Sequence, residues 1–244
     1  MVRQGLIDLH THILPGVDDG AADPTAALDM ARLAAADGIA RLLATPHALR
    51  LDGGIDAAEV QGRVRTLQVA VAAAGLPLTV GYGAEMPLIA ALPRQIDAGS
   101  YLSLNGSRYL LIEPPYYGLP GDWENLLWQV QMRGLTPVLA HPERHPQLAG
   151  DLKRLRRVVE RGCLLQITSG SLEGLFGGQA QAAARRLLRE SLVHLLASDA
   201  HNATSRPPHV AKAVALAAEI IGREAAFRLA GANALAVWEN RLLT

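Results

Sequence analysis

Histidine and carboxylate side chains recur at the ends of apolar, strand-like runs in this 244-residue chain. The six runs that carry them are LIDLHTH, LLATPH, LTVGYGAE, YLLIEP, PVLAH and VHLLASDAH. The nine candidate metal ligands in or just beyond these runs are His10, His12, Asp19, His47, Glu85, Glu113, His141, Asp199 and His201. Imidazole and carboxylate groups are the ligands that Zn, Mn and Fe prefer. The pattern is therefore typical of a multinuclear metallohydrolase.

Each motif is a weak signal when it is taken alone. His10 and His12 alternate along a strand, so both rings point to the same side and can hold one ion. The alternative for every one of these residues is an ordinary polar side chain at the edge of a sheet. Agreement among six strand ends favours a common site, because the carboxyl ends of parallel strands in an α/β barrel converge on one face.

Strand and helix signals alternate about seven times, which predicts an α/β fold, a distorted (β/α)7 barrel. The predicted strands are residues 6–12, 41–45, 78–85, 108–113, 136–141, 163–168 and 193–198. Asp23 and Pro24 predict the start of the first helix, and Asp122 predicts another helix cap. LRLDGGID and SGSLEGLFGG are predicted loops, and two or three Ala-rich helices are expected after Pro208.

Length and composition favour one domain over residues 1–244, since barrels of 200–250 residues commonly form a single unit. Lys+Arg and Asp+Glu balance at 23 each, which offers no net attraction for nucleic acid or an anionic membrane. The N-terminal segment lacks the apolar core of a signal peptide, and residues 66–84, the longest uncharged stretch, are broken by Gly75 and Pro77. Cys163 is the only cysteine, which fits a reducing compartment. From the cysteine count and the interrupted apolar stretches together, we expect a cytoplasmic protein without membrane insertion.

Several sequence blocks together resemble a known superfamily. These blocks are IDLHTHILPGVDDG, ATPH, GAE, IEPP, AHPER, ITSGS and SDAHNATSRPP. They look like the PHP superfamily (polymerase and histidinol phosphatase). More narrowly, they resemble the bacterial PHP-type protein tyrosine phosphatases that are encoded with capsule and exopolysaccharide synthesis systems. The match is collinear from Ile7 to about Asn240.

The resemblance implies a distorted barrel of the PHP type with three divalent transition-metal ions, for which Mn²⁺ is favoured and Fe or Zn are alternatives. It also implies how the nine ligands are shared. His10, His12 and Asp199 would hold one ion. Glu85 would bridge that ion to a second one, held also by Glu113 and His141. Asp19, His47 and His201 would hold the third, with Asp18 as a neighbour of the ligands.

Two arginines, Arg144 and Arg206, follow the candidate ligands His141 and His201 closely in sequence. A planar guanidinium suits bidentate contact with phosphate oxygens, and the alternative is an ion pair with a loop carboxylate. The chemistry expected is attack of a metal-activated hydroxide on phosphorus without a phosphoenzyme. A cysteine-type phosphatase would need Cys-x5-Arg, but the sixth residue after Cys163 is Ser169.

The expected function is dephosphorylation of a phosphotyrosine protein, with the Tyr-rich tail of a bacterial tyrosine kinase of polysaccharide synthesis as a candidate partner. The alternative is a small-molecule phosphatase, such as one for histidinol phosphate. A non-catalytic docking module is disfavoured by the complete ligand set, and a nuclease by the neutral charge. Tyr116, Tyr117 and Trp123 could form an aromatic wall for a phenyl phosphate or simply pack the loop.

Overall fold

The computed structural model describes residues 5–48 and 56–243, and all of its strand pairs are parallel. The strands are β1 (Leu6–Thr11), β2 (Ile39–Ala44), β3 (Thr79–Tyr82), β4 (Glu85–Pro87), β5 (Tyr109–Glu113), β6 (Thr136–Ala140), β7 (Leu164–Thr168) and β8 (Leu195–Ala197). They form a three-stranded sheet in the order β1-β2-β3 and a five-stranded sheet in the order β4 to β8. The predicted α/β class is confirmed.

Backbone hydrogen bonds join the two sheets at both seams. The amide of His12 donates to the carbonyl of Ala200 at 2.8 Å, which links β1 to the segment after β8. At the other seam the amide of Glu85 donates to the carbonyl of Pro46 at 3.0 Å. The strands therefore surround a common interior as a distorted barrel, whose seams are joined by isolated bridges and not by continuous ladders.

The predicted third strand, residues 78–85, is split in the structure into β3 and β4. The break falls at Gly83 and Ala84, where the chain leaves its pairing with β2 and begins to pair with β5. In residues 5–48 and 56–243, eight strands thus correspond to the seven predicted ones. The alternation of apolar residues continues across the break, so the sequence carried no signal of this change of partner.

Helices cover the outside of the strands. They are α1 (Pro24–Ala36), α2 (Ala57–Ala73), α3 (Leu92–Asp97), α4 (Trp123–Gln131), α5 (Leu152–Glu160), α6 (Ser169–Glu173), α7 (Gly177–Arg189), α8 (Ala211–Ile221), α9 (Arg223–Ala230) and α10 (Ala232–Trp238). Asp23 caps α1 as predicted, because its side chain accepts a hydrogen bond from the amide of Ala26. Three helices follow Pro208, as the Ala-rich sequence indicated.

Two local predictions were wrong. Asp122 precedes α4, but its side chain makes no capping hydrogen bond, since its backbone is not in the extended conformation of a typical N-cap. The predicted loop SGSLEGLFGG contains the short helix α6, which ends at Gly174 with a positive φ of 87°. Of the other predicted loop, LRLDGGID, residues 49–55 lie outside the described residues.

A small apolar cluster fills one end of the barrel, and the polar residues occupy the other. Leu111 of β5 belongs to this cluster, and Glu113 lies two residues further along the same face of the strand. Ala234 and Val237 of α10 also belong to the cluster, so α10 closes that end. The candidate ligands therefore lie at the carboxyl ends of the strands, next to the packed apolar cluster in the barrel interior.

Among the described residues, no helix is both long and apolar enough to cross a bilayer.

Candidate metal centre

The structure brings all nine predicted ligands together at the carboxyl ends of the strands. Their potential ligand atoms form groups within 4.8 Å of one another, namely His12, Asp19, His47 and His201; His10, His12 and Glu85; and His47, Glu85 and Glu113. His141 and Asp199 contact members of these groups. Nε2 of His141 lies 3.1 Å from Oε1 of Glu85, and Oδ1 of Asp199 lies 3.4 Å from Nε2 of His10. The five imidazoles and four carboxylates suit Mn, Fe or Zn.

Glu85 occupies the middle of the cluster. Its Oε1 lies 3.2 Å from Nε2 of His10 and 3.1 Å from Nε2 of His141. Its Oε2 lies 3.1 Å from Nδ1 of His47 and 3.4 Å from Nε2 of His12. One carboxylate thus contacts four imidazoles that come from the ends of three strands, β1, β2 and β6. This is the geometry that a ligand shared between two ions needs.

The cluster is closed at its centre and open on one side. The side chains of His10 and His12 are fully buried, whereas that of Asp19 is 65% exposed. Oδ1 of Asp19 lies 3.5 Å from Nε2 of His47 and 3.4 Å from Nε2 of His201. Glu113, whose side chain is 33% exposed, lies 3.6 Å from Nδ1 of the same His47. Asp19 and Glu113 are thus the candidate ligands of this cluster that solvent reaches most.

Two hydrogen bonds orient the innermost histidines. Nδ1 of His12 donates to Oδ2 of Asp18 at 2.7 Å, and Nδ1 of His10 donates to Oε1 of Gln166 at 2.9 Å. Each bond leaves Nε2 of the ring directed at the centre of the cluster, where those two atoms lie 3.3 Å apart. Asp18 therefore orients His12, a candidate ligand, whereas nothing in the sequence pointed to Gln166.

Replacing Asp18 by alanine should weaken Mn²⁺ binding about 10–100-fold, because His12 then loses the acceptor that orients its ring. The matched control is Asp29→Ala, which removes an exposed carboxylate paired with Arg32 on α1 and should bind Mn²⁺ like the parent. The measurement is a titration of each metal-stripped protein with Mn²⁺. Equal affinities for parent and Asp18→Ala would show that Asp18 does not position His12.

In the cluster, burial and neighbouring charges shift the pKa values of the candidate ligands in opposite directions. Burial alone would raise the pKa of Glu85, but the neighbouring imidazoles, His10 first among them, hold it well below its usual value. Burial alone would lower the pKa of His12, but the neighbouring carboxylates of Asp18, Asp199 and Glu85 raise it well above its usual value. For His201, burial and the charge of His12 lower the pKa to about 4. Glu85 is therefore ionised at neutral pH and available to a cation.

An unsatisfied oxygen shows that the residues present fit metal ions. Within the described part of the chain, Oε2 of Glu85 accepts no hydrogen bond although the side chain is 1% exposed. A buried carboxylate oxygen without a donor is costly, and a cation would compensate that cost. The backbone supports the same interpretation, because His141 and Asp199 adopt positive φ angles of 32° and 54°. Such strain in non-glycine residues is concentrated at functional sites.

Arg144 and Arg206 lie at the edge of the cluster, where both guanidinium groups contact Asp199. Nη1 of Arg144 donates to Oδ2 of Asp199, and Nη2 of Arg206 donates to the same oxygen at 2.7 Å. Both side chains are about one quarter exposed. The ion pair that the sequence left as an alternative is thus present, but its carboxylate is a candidate ligand. The two cations consequently border the space where a bound phosphate would lie.

Phe176 was missed by the sequence analysis. Its ring lies under both guanidinium groups, with its centroid 4.1 Å from Cζ of Arg144 and 5.6 Å from Cζ of Arg206. The residue belongs to the predicted loop SGSLEGLFGG, and it meets Arg144 only because α6 and the following turn fold against the centre. A lone phenylalanine in a glycine-rich segment gives no pattern from which this contact could be predicted.

Glu143, next to Arg144, is also buried and was not singled out. Its Oε1 accepts hydrogen bonds from the amide of Thr168 at 2.9 Å and from the hydroxyl of Ser171 at 2.7 Å. The bonds tie the turn after His141 to the end of β7 and to α6. Glu143 does not belong to the groups of candidate ligands, and its role is to hold Arg144 and His141 in place.

Tyr116, Tyr117 and Trp123, for which the sequence left an aromatic wall and loop packing as alternatives, lie in two different environments. Tyr116 and Tyr117 are 58% and 85% exposed in the loop after β5, with their rings 4.8 Å apart. Trp123 is fully buried at the start of α4, where Arg154 stacks on it at 4.9 Å. Trp123 therefore packs the core and cannot contact a substrate, so for this residue the packing alternative is correct.

The chain matches a described protein family over most of its length. Residues 6–239 match the family described as "Capsular polysaccharide synthesis, CpsB/CapC". The chain belongs to the CpsB/CapC family. The resemblance to capsule-type phosphatases, stated on seven sequence blocks, is confirmed. The family match spans every strand and every candidate ligand of this CpsB/CapC member.

Several relatives of this CpsB/CapC chain have been named for an activity. Tyrosine-protein phosphatase YwqE of Bacillus subtilis is 37% identical over 227 residues, which cover 92% of this chain and 88% of the relative. Tyrosine-protein phosphatase CpsB of Streptococcus pneumoniae is 32% identical, and the aligned residues cover 92% of this chain and 94% of CpsB. Both similarities extend over nearly the whole length of both partners.

Solved structures give the same result for the fold. A structure from work on YwqE of B. subtilis and CpsB of S. pneumoniae, described there as metal-dependent tyrosine phosphatases, superposes with a TM-score of 0.91. It is 36% identical in sequence and covers 98% of this chain and 96% of its own. An enamidase of the amidohydrolase superfamily superposes with a TM-score of 0.55 at 16% identity, which shows a shared barrel-like fold alone.

Proposed function

We propose that this CpsB/CapC chain is a metal-dependent protein-tyrosine phosphatase. The observation that carries the proposal is the convergence of nine metal-type side chains beside two arginines. This convergence occurs in a chain whose relatives are named tyrosine-protein phosphatases. Phosphate monoesters are dianions, and a centre that combines cations with guanidinium groups suits them.

Three divalent ions, with Mn²⁺ favoured and Fe or Zn as alternatives, fit the nine ligands. The proposed groups are His10, His12 and Asp199; Glu85, Glu113 and His141; and Asp19, His47 and His201, with Glu85 shared between the first two. The close approaches of Glu85 to His10 and His141 support the shared role. His47 faces Glu85 with Nδ1 and Asp19 with Nε2, so it lies between two of the proposed groups of ligands.

Bound divalent ions would acidify a water molecule to serve as the nucleophile and would neutralise charge on the phosphoryl oxygens. The chain itself supplies positioning and charge. Arg144 and Arg206 would each direct N–H groups at phosphoryl oxygens as negative charge builds in the transition state. Asp199 holds both arginines at the edge of the centre. Gln166 and Asp18 keep His10 and His12 in the orientation that ion binding needs.

The substrate would be a phosphotyrosine protein, and the Tyr-rich tail of a bacterial tyrosine kinase of polysaccharide synthesis is the partner we propose. The match to a capsular polysaccharide synthesis family supports that assignment. A cytoplasmic location would suit such a partner, and the single cysteine of the sequence agrees with a reducing compartment.

The competing function is a small-molecule phosphatase that uses the same metals. A comparison of kcat/KM for a phosphotyrosine peptide, a phosphoserine peptide and histidinol phosphate, each with Mn²⁺, separates the two. We expect the phosphotyrosine peptide to be preferred. A preference for histidinol phosphate would overturn the assignment to protein substrates while leaving the metal chemistry intact.

Replacing Cys163 by serine should leave turnover nearly unchanged. Cys163 is 1% exposed, and burial raises the pKa of its thiol to about 12, so the nucleophilic thiolate does not form at neutral pH. The measurement is kcat on a phosphotyrosine peptide, together with the melting temperature, which should fall because a hydroxyl enters an apolar site. Loss of turnover in a folded variant would require nucleophilic catalysis by the thiol.

A further inference from the structure

A cavity of about 250 Å³ opens directly beside the candidate metal centre. One wall is formed by Glu113, His141 and Arg144, which belong to the centre or border it. Tyr116, His145 and Phe176 also line the cavity and carry rings that take no part in the proposed metal binding. The organic group of a phosphate ester bound at the centre could therefore extend into this space, where rings line the cavity opposite the charged residues.

The ring of Phe176 is fixed on two sides. Cζ of Arg144 lies 4.1 Å from the ring centroid, in the geometry of a cation–π contact. On another side the ring packs against the backbone of Gly170, where an added Cβ would lie 2.8 Å from Cε2 of Phe176. A larger residue at position 170 would displace the ring. Phe176 is thus a preformed aromatic surface next to a phosphate-binding guanidinium.

His145 adds a second flat surface. Its Nε2 donates to the carbonyl of Pro115 at 3.0 Å, and its Nδ1 accepts from the amide of Gln147 at 3.2 Å. Because both nitrogens are used by the backbone, the ring is held in one orientation and is neutral in this arrangement. His145 is 3% exposed, whereas Tyr116, whose ring centroid lies 6.5 Å away, is 58% exposed. The cavity therefore has a buried ring inside and an exposed one near solvent.

The chemistry of this lining suits an aryl group better than an alkyl group. Aromatic rings gain from stacked or edge-to-face contacts with other rings, in addition to the area that they bury. The phosphate of phosphoserine is attached through a single methylene group, which would leave the cavity without an aromatic occupant. We propose that this cavity is the subsite for the phenyl ring of phosphotyrosine, and that Phe176 is a specificity-determining residue. The proposal rests on the phosphatase function above and adds the basis of its choice of substrate.

The kinetic test compares Phe176→Ala and Phe176→Leu on phosphotyrosine and phosphoserine peptides of one sequence, with Mn²⁺. Phe176→Ala should raise KM for the phosphotyrosine peptide about five- to twentyfold, because the ring loses its aromatic partner, and should change kcat little. Phe176→Leu, which keeps most of the volume, should show a smaller rise. Both peptides lose the cation–π contact that the ring makes with Arg144, so the deciding quantity is the ratio of kcat/KM for the two peptides, which should shift against the phosphotyrosine peptide while the metal content stays unchanged. Leu175→Ala, a neighbour that is 52% exposed and does not line this cavity, is the matched control.

A binding measurement separates this proposal from the proposed function. Calorimetric titration of the metal-loaded protein compares phenylphosphonate with ethylphosphonate, two ligands that share the phosphonate and carry a phenyl ring or an ethyl group. The parent should bind phenylphosphonate more tightly, and Phe176→Ala should lose that preference. Equal weakening of both ligands in Phe176→Ala, or an unchanged preference, would overturn the subsite. A parent that prefers phenylphosphonate but does not hydrolyse phosphotyrosine would overturn the proposed function and leave the subsite standing.

Discussion

Replacing Glu85 by glutamine should lower metal content and phosphotyrosine phosphatase activity together, the activity by at least about 100-fold. Loss of a residue that merely orients a ligand commonly costs 10–100-fold in metal affinity or activity, and a ligand shared by two ions should cost no less. Glu85 contacts four imidazoles, so its replacement also leaves His10 and His141 without their anionic partner. The measurements are elemental analysis and kcat/KM with Mn²⁺.

The matched control is Glu143→Gln. Glu143 is as buried as Glu85, at 1% exposure, but its Oε1 accepts hydrogen bonds from Thr168 and Ser171. The amide oxygen of glutamine can accept the same bonds, so we expect this variant to keep its metal. Chelation of the parent protein should likewise abolish activity, and Mn²⁺ should restore it. An active parent that contains no metal would refute the metal-dependent mechanism.

Replacing Arg144 or Arg206 by alanine should lower kcat/KM on a phosphotyrosine peptide about 10²–10³-fold, with metal content unchanged. Neither guanidinium has a lone pair that a metal could use. In each single variant the other arginine still donates to Oδ2 of Asp199, so that carboxylate keeps a cationic partner. Arg206→Lys should recover only part of the activity, because an ammonium group cannot reproduce the planar fork.

Arg154→Ala is the matched control for the arginines. Arg154 is also partly buried, pairs with a carboxylate of Glu124 at 2.6 Å and stacks on Trp123, but it lies on α5 away from the centre. Its replacement should affect stability and leave kcat/KM unchanged. Parental turnover in both Arg144→Ala and Arg206→Ala would remove the arginines from phosphate binding. Loss of metal in either would mean that they act by holding Asp199.

The positions of the ligands in the sequence were enough to predict that they meet. Each ligand follows an apolar run of strand length, and parallel strands of an α/β fold deliver their carboxyl ends to one face. Local patterns were therefore enough to predict the site, because eight of the nine candidate ligands lie in a strand or within four residues of its end, and only Asp19 lies further along its loop. The same reasoning predicted the cap of α1 by Asp23 correctly, since capping depends on neighbours in sequence.

Contacts between distant segments could not be predicted in this way. Arg144 and Arg206 were placed beside ligands by their spacing, but that both would donate to one oxygen of Asp199 depends on how three loops pack. Phe176 lies 32 residues after Arg144 in a segment predicted to be a loop, and nothing local indicates that its ring supports the guanidinium. Trp123 was placed near the site by sequence proximity, yet the amphipathic face of α4 buries it.

The amino-acid sequence by itself determined the α/β class, the strand ends that carry the ligands and the metal-binding character of the site. These follow from residue types and from periodicity, both of which act over a few residues. Only the tertiary structure decided that Glu85 lies among four imidazoles and that Phe176 borders a cavity next to Arg144. It also decided that the chain pairs with β2 through β3 and with β5 through β4. These features depend on packing between segments far apart in the chain, where each side chain takes its position from neighbours that no local pattern specifies.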